Sequence, residues 1–479
     1  MAFRSIMSSR LPIVIILGAT GTGKTKLGLE LAQKFETEVI SADSMQVYKG
    51  LDVVTAKATC QERELVHHHL LDILEPHQNF TVVDFRNRTL KIMEQLTSRG
   101  KMPIIVGGTV YYLESVVYKI LVQDIDNSET LLMEKRQRKR DLEVDVTNGP
   151  AVKKLTTENV SDTDHATATT SVTNETGKEE PVVIDKEQLQ EFVDNENRFT
   201  NEEIHSKLKA IDPVMASKIH PNNRRKILRS IEVWLKMGRR HSEILAEQHI
   251  SEGKLRYPES TIIFWLTCDQ AVHDERLDRR VDKMLEDGLI DELLDFHARH
   301  NQKRIQDGTP PDYTKGIFQT LGFKEFHDYL MLSEDERNSE NGKKLLQECI
   351  EKMKIATRRY ARRQNKMVKG RFLEHPRREV PNVWKLDTTD VSKWDEQVKN
   401  KAIQIVESFI NESPLPYEPL KIVLEEEKKN IDAKSNNFCE TCGRFIIGDK
   451  EFKIHLESNR HLKCIKRKKS EEKKKDVLK

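Results

Sequence analysis

The chain has 479 residues, with 80 Lys and Arg against 78 Asp and Glu, for a net charge of +2. At ~150 residues per domain it holds about three units, and its charge balance excludes a uniformly basic nucleic-acid coat or an acidic solvating chain, leaving any basic surface local. Apolar residues at 37% still allow a sizeable core, the run Ile13 to Leu17 is of strand length, and six cysteines do not make a disulfide framework.

Met1 to Pro12 carries Arg4 and Arg10, and the first acid is Glu30. This leader lacks the apolar core of a secretory signal and reads either as a short mitochondrial presequence or as a disordered lead-in. Ile13 to Leu17 predicts a strand, followed by a glycine-rich loop and a helix over Lys26 to Phe35. Val39-Ile40 is a short strand running into Ser41-Ala42-Asp43-Ser44, and Pro103 to Val106 is another, stopped by Gly107-Gly108. Strands alternating with helical stretches imply a parallel sheet, whose ligands gather at the carboxyl ends of the strands.

The character changes after Tyr118, since Ile120 to Glu191 contains no aromatic residue. Val144 to Glu180, rich in Thr, Ser, Asn and Asp, reads as a disordered insertion because it cannot bury enough surface to fold. Helical periodicity returns at Ile204 to Leu208, Ile262 to Leu266 is a buried strand, and Gln270 to Glu286 and Lys343 to Val368 are helices, the latter basic. The expected layout is a core first part over 11–123, an insertion region over 124–210, and a core second part with basic helices over 211–412. A charged linker over 413–435, a compact module over 436–466 and a basic tail over 467–479 complete it.

Gly18-Ala19-Thr20-Gly21-Thr22-Gly23-Lys24-Thr25 matches G-x-x-x-x-G-K-[ST] at every fixed position, between a strand and a helix. The glycines let backbone N–H groups converge on phosphate oxygens, and the helix N-terminus adds positive potential. Lys24 would reach terminal phosphates and Thr25 could hold Mg²⁺. The pattern says polyphosphate rather than ATP: P-loop nucleotidases orient Mg²⁺ with an Asp after an apolar strand, whereas the strand at Ile104 to Val106 ends in glycines.

Near the end, Cys439-x2-Cys442-x12-His455-x5-His461 has C2H2 zinc spacing. Phe438 and Phe445 are expected to form its small core, and Cys464 is a spare thiol. The HLESNRH segment resembles U1-type fingers, which bind structured RNA; a structural or protein-binding finger is the alternative.

Several segments, in order, resemble the tRNA dimethylallyltransferases (isopentenyltransferases). They are GATGTGKT (18–25), SADSMQVYKGLD (41–52), HHLLDI (68–73), VGGTVYYL (106–113), DPVMASKIHPNNRRKILRSIEV (212–233), LDRRVDKMLEDGL (277–289) and ATRRYARRQ (356–364). The resemblance implies a P-loop NTPase-like parallel sheet flanked by helices, a helical insertion domain and, as in eukaryotic members, a zinc finger. It also implies transfer of a dimethylallyl group from dimethylallyl diphosphate to N6 of adenosine 37, beside the tRNA anticodon. The P-loop residues Thr20, Gly21, Thr22, Gly23, Lys24 and Thr25 would then hold the donor's diphosphate with Mg²⁺, and Arg280, with Arg276 second, would help. Catalysis would fall to Asp43 as acceptor of the N6 proton, with Thr25 and Arg280 at the leaving group.

Adenine must leave its stack to reach such a pocket, and the resemblance assigns Ser44, Met45 and Gln46 to the target and flanking adenines and Thr109 to tRNA. Two basic segments suit RNA phosphates: Arg224, Arg225 and Arg229, and the stretch Glu351 to Glu379, with eleven Lys or Arg against three Glu. Tyr360 lies in the second, where it could stack on a base, with Arg363 and Gln364 beside it. His67-His68-His69 reads as structural, as in the family, rather than as a metal site. A P-loop small-molecule kinase and a non-catalytic zinc-finger RNA-binding protein are the competing readings. The resemblance further suggests a monomer that binds no membrane and works in mitochondrion and cytoplasm, while the basic Lys466 to Lys475 tail could aid RNA binding or serve as a nuclear signal.

Overall fold

The computed structural model describes residues 11–119, 169–173, 179–183, 186–194, 198–251, 253–302, 313, 316–375, 378–420, 436–442 and 444–467. They form two units, Met1–Pro150 with Glu252–Leu424 and Ala151–Ser251 with Glu425–Lys479.

The first unit is built on a six-stranded sheet in the order β3-β2-β4-β1-β7-β8. Its strands are β1 (Ile13–Gly18), β2 (Val39–Ser41), β3 (His68–His69), β4 (Ile104–Gly107), β7 (Thr261–Thr267) and β8 (Val383–Asp387). Every pairing in this sheet is parallel. A central parallel strand is buried on both faces, so it reads as an unbroken apolar run. Alternate β1 residues therefore enter different cores: Ile13, Ile15 and Leu17 join one, Val14 and Ile16 the other. The first is covered by α3 (Val82–Ser98) and α4 (Val110–Val117), the second by α1 (Lys24–Lys34) and α13 (Asn400–Ile410). A capping box at Thr81 and Asp84 starts α3.

A third core gathers Val47, Tyr48, Leu51, Phe296, Ile317, Phe323, Phe326 and Met353. It joins the loop after β2 to α10 (Gln270–Glu286), α11 (Leu289–His297) and α12 (Glu340–Val368). Charge ties α10 to α12: Asp274 pairs with Arg362, Asp278 with Arg358, and Asp282 with Lys354 at 2.6 Å. Both helices advance by four residues per rung, so the partners share facing stripes.

The second unit contains α5 (Lys186–Asp194), α6 (Asn201–Ile211), α7 (Pro213–Lys218), α8 (Arg224–Met237) and α9 (His241–Ser251). Ile227, Leu228, Ile231 and Trp234 lie on one face of α8 and bury against Ile204, Leu208 and Ile211. This separate core places the division at Glu252, whereas the sequence reading places 211–251 with the catalytic core.

Most of Val144 to Glu180 lies outside the described residues. Its C-terminal part does form structure: β5 (Thr169–Thr173) pairs antiparallel with β6 (Glu179–Val183). Thr169, Thr170, Val172 and Thr173 are β-branched and suit a strand despite the segment's polarity. The start of the expected linker also packs on the first unit, since Leu420 N–H donates to Val383 O and Trp384 Nε1 donates to Tyr417 O. No helix among the described residues is long and apolar enough to cross a membrane.

Candidate active site

β1 feeds the chain into the turn Ala19–Gly23, and α1 opens at Lys24. Gly21 and Gly23 have φ of 76° and 89°, a region that strains any residue with a Cβ. A Cβ on Gly23 would also lie 2.7 Å from the Trp394 ring. Lys24 Nζ donates to the Ala19 carbonyl at 2.8 Å, folding the ammonium over the loop. Thr20 is held from two helices: its N–H donates to Gln364 Oε1 at 2.9 Å and its carbonyl meets His273 Nε2 at 2.8 Å.

The neighbouring strand end supplies a carboxylate. Asp43 follows β2, and its Oδ1 accepts the Met45 N–H at 2.9 Å, while Oδ2 takes no hydrogen bond among the described residues. Ser44 N–H donates to Thr109 Oγ1 at 3.0 Å, fixing the next residue to the start of α4. Gln46 Oε1 accepts from Ser41 Oγ at 3.0 Å, and its Nε2 donates to the Thr55 and Ala56 carbonyls at 3.1 Å each.

Most of these groups line one chamber of about 690 Å³; Thr109 stands behind Ser44, outside the lining, and Thr22 is turned inward, its Oγ1 donating to the Ala19 carbonyl at 2.9 Å. Thr20, Gly21, Gly23, Lys24 and Thr25 form one end, with Asp43, Ser44, Met45, Gln46 and Arg280 beside them. Val54, Val281, Met284, Leu321 and Met353 supply an apolar wall, and Tyr360, Arg363 and Gln364 line it from α12. Burial and the nearby Arg280 guanidinium push the Lys24 ammonium down to about 8, against the pull of Asp43. Burial also lowers Arg280, again opposed by Asp43. The chamber thus sets two cations whose charge burial disfavours beside the Asp43 carboxylate, a constellation for an anion lying next to a group that loses a proton.

Residues 46–178 and 169–371 match the family model described as IPP transferase. The human tRNA dimethylallyltransferase is 41% identical over 468 residues, covering 95% of this chain and 86% of that protein. The Saccharomyces cerevisiae tRNA dimethylallyltransferase is 31% identical, covering 95% and 92%. A crystallographic study of a eukaryotic dimethylallyltransferase acting on tRNA gives a structure with a TM-score of 0.69 and 29% identity, covering 98% of this chain and 99% of that one. The chain belongs to the IPP transferase family.

In this IPP transferase the two candidate arginines of α10 separate. Arg280 lines the chamber, whereas Arg276 donates to the Thr388 and Thr389 carbonyls at 2.9 and 3.2 Å, beyond the end of β8. The basic stretch of α12 divides similarly: Lys354, Arg358 and Arg362 pair with α10, while exposed Arg363 faces the chamber. Arg224, Arg225 and Arg229 lie in the second unit. Arg224 is tied to Asn201 Oδ1 and the Phe199 carbonyl, Arg229 pairs with Glu232 at 3.3 Å, and Arg225 is exposed.

Sequence reasoning missed Met284, Met353, Thr357, Lys324 and the wall segments 54–56 and 319–321. A signal for some was available: Met284 is one turn beyond Arg280, and Met353, Thr357, Tyr360 and Gln364 share one helical face. His69 Nε2 bonds Glu38 at 2.8 Å, and Glu38 also accepts from Arg99 and Lys101. These partners hold Glu38 down at about 2, against its burial, while Glu38, His67 and His69 each bring one donor atom to within 4.8 Å of the others.

At the other end of the chain, Cys439, Cys442, His455 and His461 bring one donor atom each to within 4.8 Å of one another. The Sγ atoms of Cys439 and Cys442 lie 3.5 and 3.3 Å from His461 Nδ1. They are carried by β9 (Asn436–Cys439), its turn, and the helical segment from α14 (Asp449–Glu457) onward, with β10 (Arg444–Ile447) pairing β9. Phe438 does not fill a core here, being 59% exposed. Strand residues alternate in direction, so burying Cys439 turns Phe438 outward. Cys464 donates from Sγ to the Thr441 carbonyl at 3.2 Å.

Proposed function

We propose that this chamber transfers the dimethylallyl group of dimethylallyl diphosphate to N6 of adenosine 37 in the tRNA anticodon loop. As an IPP transferase the chain is an enzyme that transfers a dimethylallyl group to tRNA. The finer assignment rests on one observation, the meeting of Asp43, Lys24 and Arg280 on a single apolar-walled chamber.

The P-loop amides, Lys24 and Arg280 bind the diphosphate and stabilise the charge it gains as its C1–O bond breaks and the electron pair leaves with oxygen. Val281, Met284, Leu321 and Met353 shelter the allyl group. As the N6–C1 bond forms, Asp43 accepts the N6 proton, within a hydrogen-bond reach of about 2.6–3.2 Å. Ser44, Met45 and Gln46 contact the extruded adenine and its neighbours, with Thr109 acting through Ser44, and Tyr360 and Arg363 contact the loop from the opposite wall, where Gln364 braces Thr20 and Gly108. Arg225 offers an exposed phosphate contact in the second unit. Arg276 contributes by holding the Thr388–Thr389 turn.

Thr25 is the second residue of α1 and lines the chamber, a position suited to Mg²⁺ shared with diphosphate. Bound there, Mg²⁺ would neutralise phosphate charge. The two thiols and two imidazoles fit Zn²⁺: tetrahedral bonds of about 2.3 Å to sulfur and 2.0–2.1 Å to nitrogen put S and N about 3.6 Å apart, close to the 3.3 and 3.5 Å observed. Cys439, Cys442, His455 and His461 would hold this ion, which fixes the finger's fold, and the finger adds grip on tRNA.

The acid-free leader supports mitochondrial delivery alongside a cytoplasmic pool, and the Lys-rich tail supports nuclear entry.

The test uses purified protein, Mg²⁺, labelled dimethylallyl diphosphate and an unmodified anticodon stem-loop with three consecutive adenines. Label enters the RNA with wild type and is lost in Asp43→Ala, which keeps RNA binding. Label in Asp43→Ala at the wild-type rate would remove Asp43 as the base.

A further inference from the structure

Lys57 is a buried cation outside the chamber. Its side chain is 1% exposed, and its Nζ donates to the Tyr48 and Gly50 carbonyls at 2.7 and 2.9 Å and to Asp52 and Asp72 at 2.7 and 2.5 Å. Asp72 is held in turn by Arg63 Nη1 at 2.7 Å. A buried charge is tolerated when its partners are complete, and here they come from two segments: the loop after Asp43, and the turn after β3.

Both segments are strained. Leu51, Ala56, Leu70 and Asp72 have φ of 56°, 47°, 62° and 53°, a conformation that costs energy in residues with a Cβ. Such strain persists where surrounding contacts over-determine the backbone. Lys57 supplies the buried side-chain contact, joining 48, 50 and 52 to 72 beside the backbone bonds from Asp72 N–H to Gln46 O at 3.1 Å and from Lys49 N–H to Leu74 O at 2.8 Å. A second clamp comes from α11, where Glu292 accepts the Val53 and Val54 N–H groups at 2.8 and 3.0 Å. The loop so fixed has a functional end: the Thr55 and Ala56 carbonyls hold Gln46 Nε2, and Val54, Thr55 and Ala56 line the chamber.

We propose that Lys57 is a positioning residue for prenyl transfer, holding the strained loop 43–58 so that Asp43 and Gln46 face the adenine. It acts on the RNA side of the chamber and leaves the diphosphate side alone, because none of its partners belongs to the P-loop, α10 or α12. This inference rests on the roles given above to Asp43 and Gln46.

The test measures full-length Lys57→Met for donor affinity, transfer rate and melting temperature, with the anticodon stem-loop as acceptor. A misplacement of about 1 Å can cost about 100-fold in rate, so kcat is expected to fall by about 30- to 100-fold while the Kd for dimethylallyl diphosphate stays within about twofold. Asp72→Asn, which keeps an acceptor but removes a charge, is expected to lose less in the same parameter, and it decides the matter if Lys57→Met does not fold. Combining Lys57→Met with Gln46→Ala is expected to cost less than the product of the single losses, because both act through one loop. Wild-type kcat, multiplicative losses, or donor affinity falling in step with kcat would each overturn the positioning role. Asp43→Ala separates the two levels: its activity would remove the underlying reading, whereas its inactivity beside a fully active Lys57→Met would remove only the role of Lys57.

Discussion

Gln364 Oε1 accepts the backbone N–H of Thr20 at 2.9 Å, joining positions 344 residues apart. The same amide donates from Nε2 to the Gly108 carbonyl at 3.0 Å, so one buried side chain spans α12, the P-loop and the end of β4. Gln364→Leu keeps the volume but leaves both backbone groups unpaired, at about 1–3 kcal/mol per unsatisfied group. The expected outcome is a lower melting temperature and a raised KM for dimethylallyl diphosphate, measured by calorimetry and steady-state kinetics. An unchanged KM with lowered stability would confine Gln364 to the scaffold.

Lys24 gives the chamber a pH dependence. Burial and Arg280 set its ammonium at about 8, below its ordinary 10.5. Below pH 8 it is charged in both folded and unfolded chains, and the folded state bears the cost of burying that charge. Between pH 8 and 10.5 the unfolded chain binds more protons than the folded one, so this group's contribution raises stability as pH rises. Donor binding runs the other way, since a neutral amine attracts diphosphate less. We expect kcat/KM for the donor to fall as pH rises through about 8, and that limb to disappear in Lys24→Arg, whose guanidinium stays charged.

Adjacent arginines on α12 should behave oppositely. Arg362 pairs with Asp274 on α10, and Arg363 lines the chamber. Arg362→Ala is expected to cost at most about 1 kcal/mol of stability, as for a half-exposed pair, and to leave the salt dependence of RNA binding unchanged. Arg363→Ala should leave stability alone and reduce the slope of log K against log salt by about 0.7–0.9, the loss of one phosphate contact. Titrations of the stem-loop at several salt concentrations check both.

Much of this was legible in the residues, and what escaped did so for physical reasons. The P-loop, with its strand and helix, could be read because its glycines, Lys24 and Thr25 are local requirements of one short turn. Gln270 to Glu286 was readable as a helix from its periodicity and holds those bounds. The division between Arg276 and Arg280 was not readable: both lie on one helical face, and which meets the chamber depends on where the Thr388 and Thr389 carbonyls fall after β8. The charge excess of α12 overstated its RNA surface for a related reason, since the acids that balance it lie on α10, some 80 residues away.

Metal should govern the C-terminal module separately. The C-terminal module's described residues offer few buried apolar side chains, Phe438 being exposed, so the proposed Zn²⁺, if bound there, would supply much of its folding energy. Cys442→Ser or a chelator is expected to abolish its helix signal and weaken binding of whole tRNA. Transfer to the short stem-loop should persist, because the chamber's lining lies in the first unit.

The glycine pair ending β4 has a steric reason that bears on function. P-loop nucleotidases carry an Asp at such a strand end, but here a Cβ on Gly107 would lie 2.1 Å from the Ala42 carbonyl oxygen. Ala42 N–H donates to Val106 O at 2.8 Å, so β2 and β4 stay in contact to their ends and Asp43 emerges immediately beyond. Gly107→Ala must push Ala42 aside, and Asp43 with it. We expect a loss of about 3 kcal/mol or more, the range of severe core changes, and a collapse of transfer activity. Gly370→Ala is the control: it sits in a helical turn with nothing within 4 Å of a new Cβ, and should gain about 0.5–1 kcal/mol. Retained activity in Gly107→Ala would mean that the position of Asp43 tolerates a shift of β2, and that proton acceptance does not depend on this contact.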